Sequence, residues 1–255
     1  MAANPATFPG RRTLTELVQE TVVLCVLPYR EKNVADKATI LLSALSPEEK
    51  ARCLSMRSAV RRHEFILGRA LARLILSTVF CVPLPVAPLS ISARGRPYVA
   101  GHNPIALDVN LSHSQSHLLV GATCLGQLGV DIQGTLPDWE TMAKRFLNAE
   151  EFERLVALPE EMRSATMTRA WAIKEAWSKA LGLGLAVSLR RLNTGLQSEG
   201  RLGDVSWCAL DELGRLSAAT AVASRMGESK ARINHAFIRT TVDHLAEFVA
   251  SKTLR

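Results

Sequence analysis

Residues 128–133 read LGVDIQ, an apolar run with one carboxylate inside it. Short β-branched runs of this kind form buried strands. A buried carboxylate is costly unless it is paired or bound to a metal. The fold must therefore bring a cation to Asp131. One stretch further on can supply it. Residues 169–184, RAWAIKEAWSKALGLG, read as the second half of a helix stopped by Gly182 and Gly184, because glycine readily forms the left-handed C-terminal cap. Trp171, Glu175 and Lys179 lie at i, i+4 and i+8, near one stripe of that helix. Alone, Glu175 and Lys179 would make a surface ion pair stabilising by only a few tenths of a kcal/mol. The need of Asp131 for a partner gives the stripe a second meaning, as a face that meets the strand.

With 255 residues, 47% of them hydrophobic, the chain can build one large domain or two small ones around a sizeable core. The formal net charge of +7 favours an acidic partner or an anionic ligand. The five cysteines are widely spaced, odd in number and form no C-x-x-C, which indicates reduced thiols and neither disulfides nor zinc. Residues 1–12 lack the apolar segment of a signal peptide, and residues 21–28 are too short to span a bilayer, which needs about 20 residues. These features lead us to expect a soluble, cytoplasmic protein.

Residues 1–15 are expected to be loose and residues 22–27 to form a buried strand. Ser46, Pro47, Glu48 and Glu49 open a helix that breaks near Ser58 and continues to Val79. Arg62, Arg69 and Arg73 share a face of it, either a solvated basic surface or a cradle for phosphate. Residues 89–92, 106–111 and 117–124 read as strands, with a turn at Gly95, Arg96 and Pro97 and residues 112–116 (SHSQS) as a connection. His113 and His117 are four apart, but their strand-like flanks and the absence of a nearby Cys or third His exclude zinc. Residues 137–147 and 149–158 are helical, and Ser164 or Thr166 opens the helix of the Glu175 stripe. Strands at 205–210, 217–223 and 233–240 and a helix at 242–251 close the chain. The weakest boundary lies at 126–129.

Four motifs stand in order: GRP at 95–97, VNLSHS at 109–114, GVDIQ at 129–133 and WAIKEAWSK at 171–179. Together they resemble the Sfp-type 4′-phosphopantetheinyl transferases. RRHEFILGRALAR at 61–73 resembles that family's N-terminal arginine segment, closest to the siderophore-associated branch. The resemblance implies an α+β fold of two similar halves related by a pseudo-twofold, here residues 1–126 and 127–255, with coenzyme A in the cleft between them. Double-length relatives of this kind are monomers. The implied reaction moves 4′-phosphopantetheine from coenzyme A to a serine of an apo acyl or peptidyl carrier protein and releases adenosine 3′,5′-bisphosphate.

By the same resemblance, Asp131 and Glu175 match the family's Mg²⁺ carboxylates, and hard oxygen ligands suit that ion. Glu175 also matches a proton acceptor for the serine, and Lys179 a lysine on the pyrophosphate. Lys174, His113, Ser112 and Arg96 match positions in the coenzyme A motifs, Arg62, Arg69 and Arg52 are candidates for its 3′-phosphate, and Glu151 matches a further acidic position. Trp171 reads as packing. Many relatives carry Glu two residues after the strand aspartate, on the same strand face; this chain has Gln133, a weaker ligand. Two carboxylates and more water are therefore expected. Two other classes compete. A nucleic-acid module would suit the charge, yet aromatics are only 5% and no stacking or groove motif appears. An inactive relative that binds coenzyme A or carriers is favoured only by Gln133.

Overall fold

A computed structural model describes residues 12–93, 95–184, 188–210, 216–224 and 233–253. The chain runs through α1 (Leu14–Glu20), β1 (Val22–Pro28), α2 (Glu31–Ser43), α3 (Pro47–Ser55), α4 (Ala59–Phe80), β2 (Leu89–Ile91), β3 (Pro97–Val99), β4 (Asp108–Ser114), β5 (His117–Thr123) and β6 (Gly126–Gly134). Then follow α5 (Trp139–Phe146), α6 (Ala149–Val156), α7 (Glu160–Ala180), β7 (Glu199–Leu202), β8 (Val205–Leu210), β9 (Leu216–Ser224), β10 (His235–Arg239) and α8 (Val242–Thr253). The result is a mixed α+β architecture.

Period-two patterning sets the layers. Among the described residues β2 and β3 make a two-stranded sheet; of the two four-stranded sheets the first has the order β10-β1-β5-β4 and the second β6-β9-β8-β7. Along β1, Val23, Cys25 and Leu27 pack under α1, α2, α4 and α8, whereas Val22, Leu24 and Val26 meet Leu128, Val130 and Ile132 of β6. The sheets therefore share an apolar interior, with α7 on the outer face of the second, where Ala172, Ile173, Ala176 and Ala180 pack on Trp207, Ala219 and Ala221. Strand β10 returns to pair in parallel with β1, and α8 packs on α2, so the end of the chain is built into the first sheet's layer.

Helix ends follow their capping chemistry. Ser46 and Glu49 form a reciprocal capping box at α3, with Pro47 in the first turn, and Ser58 caps α4. Three expectations change. Helix α7 begins at Glu160, before Ser164 and Thr166, because Pro159 precedes it and Glu160 and Glu161 suit the helix dipole; Ser164 Oγ instead donates to Leu136 O. Residues 112–114 are strand, not loop, and the β4–β5 connection is only Gln115 and Ser116, with φ of 45° and 60°. Such two-residue turns normally advertise themselves with Asn or Gly, which are absent here. Helix α1 takes in Leu14 and Thr15 from the stretch of residues 1–15 expected to be loose, of which residues 1–11 lie outside the described residues.

Candidate active site

The edge strands of the two sheets, β4 and β6, run side by side and are joined through side chains. Asp108 Oδ2 accepts from Leu128 N at 2.7 Å, Asn110 Oδ1 accepts from Val130 N at 3.1 Å and Ser114 Oγ accepts from Gly134 N at 3.1 Å. Edge N–H groups left open would be a pairing liability, and this row of side chains satisfies them. The remaining member of the row, Ser112, donates through Oγ to Asp131 Oδ1 at 2.7 Å. Positions 108, 110, 112 and 114 thus form one polar strand face, legible in DVNLSHS as a period of two but not singled out beyond Ser112.

On the other side of β6, Gly129 lets α7 lie against the strand, and Asp131 follows two residues later on the same face. Lys179 Nζ donates to Asp131 Oδ1 at 2.6 Å and to Val130 O at 3.0 Å. One oxygen of Asp131 is therefore doubly satisfied. The other, Oδ2, is buried with no hydrogen-bond partner among the described residues, and so is Glu175 Oε1, one turn before Lys179. Burial raises the Glu175 carboxyl above the usual carboxylate range; Lys179 opposes that rise and the Asp131 charge adds to it. Two buried carboxylate oxygens without donors are what buried polar groups avoid unless a further species binds them. A hard divalent cation fits: Mg²⁺ takes one or two carboxylates and fills its octahedron with water and phosphate oxygens. Gln133 shares the strand face and its Nε2 donates to Gly134 O at 3.3 Å. Among the described residues no group of three or more His, Cys, Asp or Glu side chains could hold a metal, so Asp131 and Glu175 stand without a third carboxylate.

The neighbouring residue of β4, His113, serves a second feature. It helps line a cavity of about 420 Å³ with Met56, Arg61, Glu64, Phe65 and Arg69. Its Nδ1 lies 3.3 Å from Glu64 Oε1, which also accepts from Tyr29 Oη at 3.0 Å. Arg69 is buried, stacks 5.2 Å from the Phe65 ring and has Nη1 without a partner among the described residues. Arg52 stacks 5.4 Å from the same ring, and Arg62 donates to Met56 O at 3.1 Å. Arg69 Nε pairs with Glu49 Oε1 at 3.7 Å, so it is Nη1 that is open; with an accessible imidazole beside it, the cavity suits an anion. Arg73 takes no part. Its guanidinium pairs with Glu49 Oε2 at 2.6 Å and donates to Leu84 O, Pro85 O and Ala87 O, clamping α4 to its surroundings.

Two expected coenzyme A contacts are engaged elsewhere. Lys174 is 0% exposed and donates to Glu151 Oε2 at 2.7 Å, Leu189 O at 3.1 Å and Leu192 O at 2.6 Å. An ammonium has three hydrogens, so nothing remains for a phosphate. Glu151, equally buried, also accepts from Thr194 N and Oγ1, so both its oxygens have protein partners. Arg96 does not line the cavity; its guanidinium donates to Asp108, Lys179 O and Leu128 O. Trp171 packs edge-on to Phe146 with ring centroids 4.3 Å apart, as its packing assignment required. Tyr29, Glu64 and Asp108 were not foreseen, since a lone Tyr or acid carries no motif.

Known proteins share these segments. The family profile of the 4′-phosphopantetheinyl transferase superfamily matches residues 127–214. The chain is 34% identical over 149 residues to the 4′-phosphopantetheinyl transferase HetI of Nostoc, covering 57% of this chain and 63% of that protein, just under two thirds of its length. It is 28% identical to the 4′-phosphopantetheinyl transferase psf-1 of Bacillus pumilus, over 68% of this chain and 73% of that one. With the 4′-phosphopantetheinyl transferase ffp of Bacillus subtilis it shares 27% identity over 68% and 77% of the two chains. The segment matched by the family profile holds both orphaned carboxylates and Lys179, and over it the chain is similar to the 4′-phosphopantetheinyl transferase superfamily.

Proposed function

We propose that this protein transfers the 4′-phosphopantetheine of coenzyme A to a serine of an apo acyl or peptidyl carrier protein. The observation that carries the reading is the pair of buried, donor-free oxygens on Asp131 and Glu175 with Lys179 beside them. Asp131 and Glu175 would hold Mg²⁺, which when bound supplies charge neutralisation for the pyrophosphate. Ser112 and Lys179 fix the Asp131 carboxylate by sharing its Oδ1. Two of the three Lys179 hydrogens have partners, leaving one for a phosphate oxygen, where an ammonium stabilises the leaving adenosine 3′,5′-bisphosphate. Glu175 receives the serine proton, directly or through one water. The serine oxygen bonds to the phosphorus that carries pantetheine as the bridging P–O bond breaks.

His113 and Arg69 then meet the 3′-phosphate end of coenzyme A at the first-half cavity, one residue along β4 from Ser112; Arg62 and Arg52 do not line that cavity and would reach the phosphate only from its surroundings. In this reading the chain is two halves of the family's pseudo-twofold, residues 1–126 and 127–255, acting as a cytoplasmic monomer with no membrane or nucleic-acid partner. No helix among the described residues is long and apolar enough to cross a membrane, and all five cysteines are free thiols. The test is incubation of apo carriers with coenzyme A and Mg²⁺, read by intact-protein mass. An enzyme adds one phosphopantetheinyl group, and Asp131→Asn or Glu175→Gln removes that addition while leaving the far-ultraviolet circular dichroism unchanged. A chain that binds coenzyme A but modifies no carrier is the inactive relative that Gln133 leaves open.

A further inference from the structure

Arg96 sits where four elements converge. Its backbone is fixed by the β2–β3 turn: Arg96 N donates to Ser92 Oγ at 3.1 Å, and Ser92 N donates to Arg96 O at 2.8 Å. Its side chain is mostly enclosed, and the guanidinium is divided among three acceptors. Nη1 reaches the carbonyl of Lys179 at the C-terminal end of α7, and Nη2 reaches Asp108 Oδ2 on β4 and Leu128 O on β6, the last at 3.0 Å. Asp108 Oδ2 also accepts the N–H of Leu128, so this one ion pair holds both ends of a β6 residue three positions before Asp131. The carbonyl of Lys179 is one of those a helix leaves unpaired within its last turn, where a cation is favoured by the dipole. Gly182 N also donates to it, at 3.1 Å, as does the N–H of Leu181.

The contact therefore ties the residue that carries the candidate ammonium to the strand that carries the candidate carboxylate. Lys179 reaches Asp131 through a long side chain, and the backbone end of that side chain is what Arg96 holds. We propose that Arg96 is a positioning residue: through the Lys179 carbonyl and the Leu128 peptide it fixes the register of α7 against β6, and it is not a phosphate ligand. The inference rests on the transferase reading for its consequence, but its geometry belongs to the fold. A guanidinium suits the place because its planar fork offers separate nitrogens to acceptors on α7, β4 and β6, whereas an ammonium donates from a single point. Misplacing a reacting group by about 1 Å costs on the order of 10²-fold in rate.

The experiment uses the full-length chain with Arg96→Lys and Arg96→Ala. Steady-state transfer is measured with coenzyme A and with its 3′-dephospho form, alone and in a Lys179→Ala background. We expect kcat to fall about tenfold to a hundredfold. KM for coenzyme A should stay within about twofold and the preference for the 3′-phosphate should be unchanged. The Arg96 loss should largely vanish once Lys179 is gone, which is the coupling a double-mutant cycle reads. A phosphate ligand would instead raise KM selectively for coenzyme A, and a purely structural clamp would add its loss in full to that of Lys179→Ala; either result overturns the proposal. Hydrogen–deuterium exchange is read in parallel on the wild-type chain and Arg96→Lys. Faster exchange over residues 177–184 supports the proposed hold of Arg96 on the end of α7, and unchanged exchange there rejects the proposal. If the wild-type chain modifies no carrier, the transferase reading fails by that control, and the exchange measurement still decides whether Arg96 holds the turn.

Discussion

Gly129 lies so close to the carbonyl of Ala176 that a methyl group at position 129 would sit 1.8 Å from that oxygen and 2.6 Å from Ala180 N. Helix α7 rests on the bare backbone of β6 at this point, and both atoms that would clash are backbone, so no rotamer change relieves the overlap. Gly129→Ala must push α7 away from the strand, separating Lys179 from Asp131. Overpacking of this kind costs about 1–3 kcal/mol. The expected outcome is a lower midpoint in urea, with transfer activity reduced by more than the folded fraction explains. A variant as stable and active as the parent would show that α7 does not need this contact.

Lys174 and Glu151 are both 0% exposed and hydrogen-bonded to each other. Removing one partner of such a pair leaves an uncompensated buried charge and costs about 3–5 kcal/mol, whereas replacing both can be nearly neutral. Lys174→Met should therefore destabilise strongly, and the double change with Glu151→Leu should recover part of the loss. KM for coenzyme A in the fraction that remains folded should not move. A stable Lys174→Met protein with a raised KM would return Lys174 to the substrate.

The sequence exposed the cluster at Asp131, Glu175 and Lys179 because each signal was local: a carboxylate in an apolar strand, and a helical stripe at i, i+4. It did not expose what the fold does with Arg96, Lys174 and Glu151, because their partners are backbone carbonyls and residues far along the chain. Spacing cannot show which lysine of a K-E pair turns inward; the Leu189 and Leu192 carbonyls that take Lys174 belong to a loop beyond the helix. Strand β10 was legible as a strand, but its place beside β1 depends on a pairing across most of the chain. Helices α1 and α2 carried too little apolar patterning to stand out.

At the first-half cavity the imidazole of His113 is 47% exposed and its Nδ1 faces Glu64. Replacement of His113 by Ala should raise KM for coenzyme A, and should do so less for the dephospho form. Glu64→Gln should act on the same parameter, since it removes the anion that orients the ring, and its effect should not add to that of His113→Ala. Steady-state kinetics of the two single variants and the double variant decide the matter; equal losses with both substrates would remove His113 from the 3′-phosphate.

His235 on β10 contacts Thr220 Oγ1 of β9 through Nε2 at 2.7 Å, bridging the two sheets, and burial lowers its pKa from 6.5 to about 4. A folded pKa below the unfolded one means that the fold favours the neutral ring. Its stabilising contribution is therefore present above about pH 6.5 and is lost as pH falls towards 4. At about 1.4 kcal/mol for each tenfold change in proton affinity, the contribution at stake is roughly 3 kcal/mol. Urea unfolding of the wild type and of His235→Gln at pH 7 and pH 4.5 isolates it: the wild type should lose more stability than the variant between the two. Parallel losses would show that this ring does not titrate with folding.

Carrier docking, which rests on the transferase reading, should use the outer face of α5. Asp138 caps this helix and Phe146 turns inward against Trp171, while Lys144 and Arg145 stay exposed, Lys144 with Glu140 at 2.6 Å and Arg145 over the Phe146 ring at 5.0 Å. A basic surface attracts a carrier that presents acidic residues beside its serine, chiefly by raising the encounter rate, and salt screens that attraction beyond about 8–10 Å. Reversing both charges, Lys144→Glu with Arg145→Glu, alters no buried group, so the fold should be retained. It should raise KM for the carrier, flatten the salt dependence of kcat/KM and leave KM for coenzyme A unchanged. The comparison is made at low and high salt with saturating coenzyme A. If KM for the carrier stays at the wild-type value at low salt, the carrier binds elsewhere and α5 serves only to cover the Trp171 cluster.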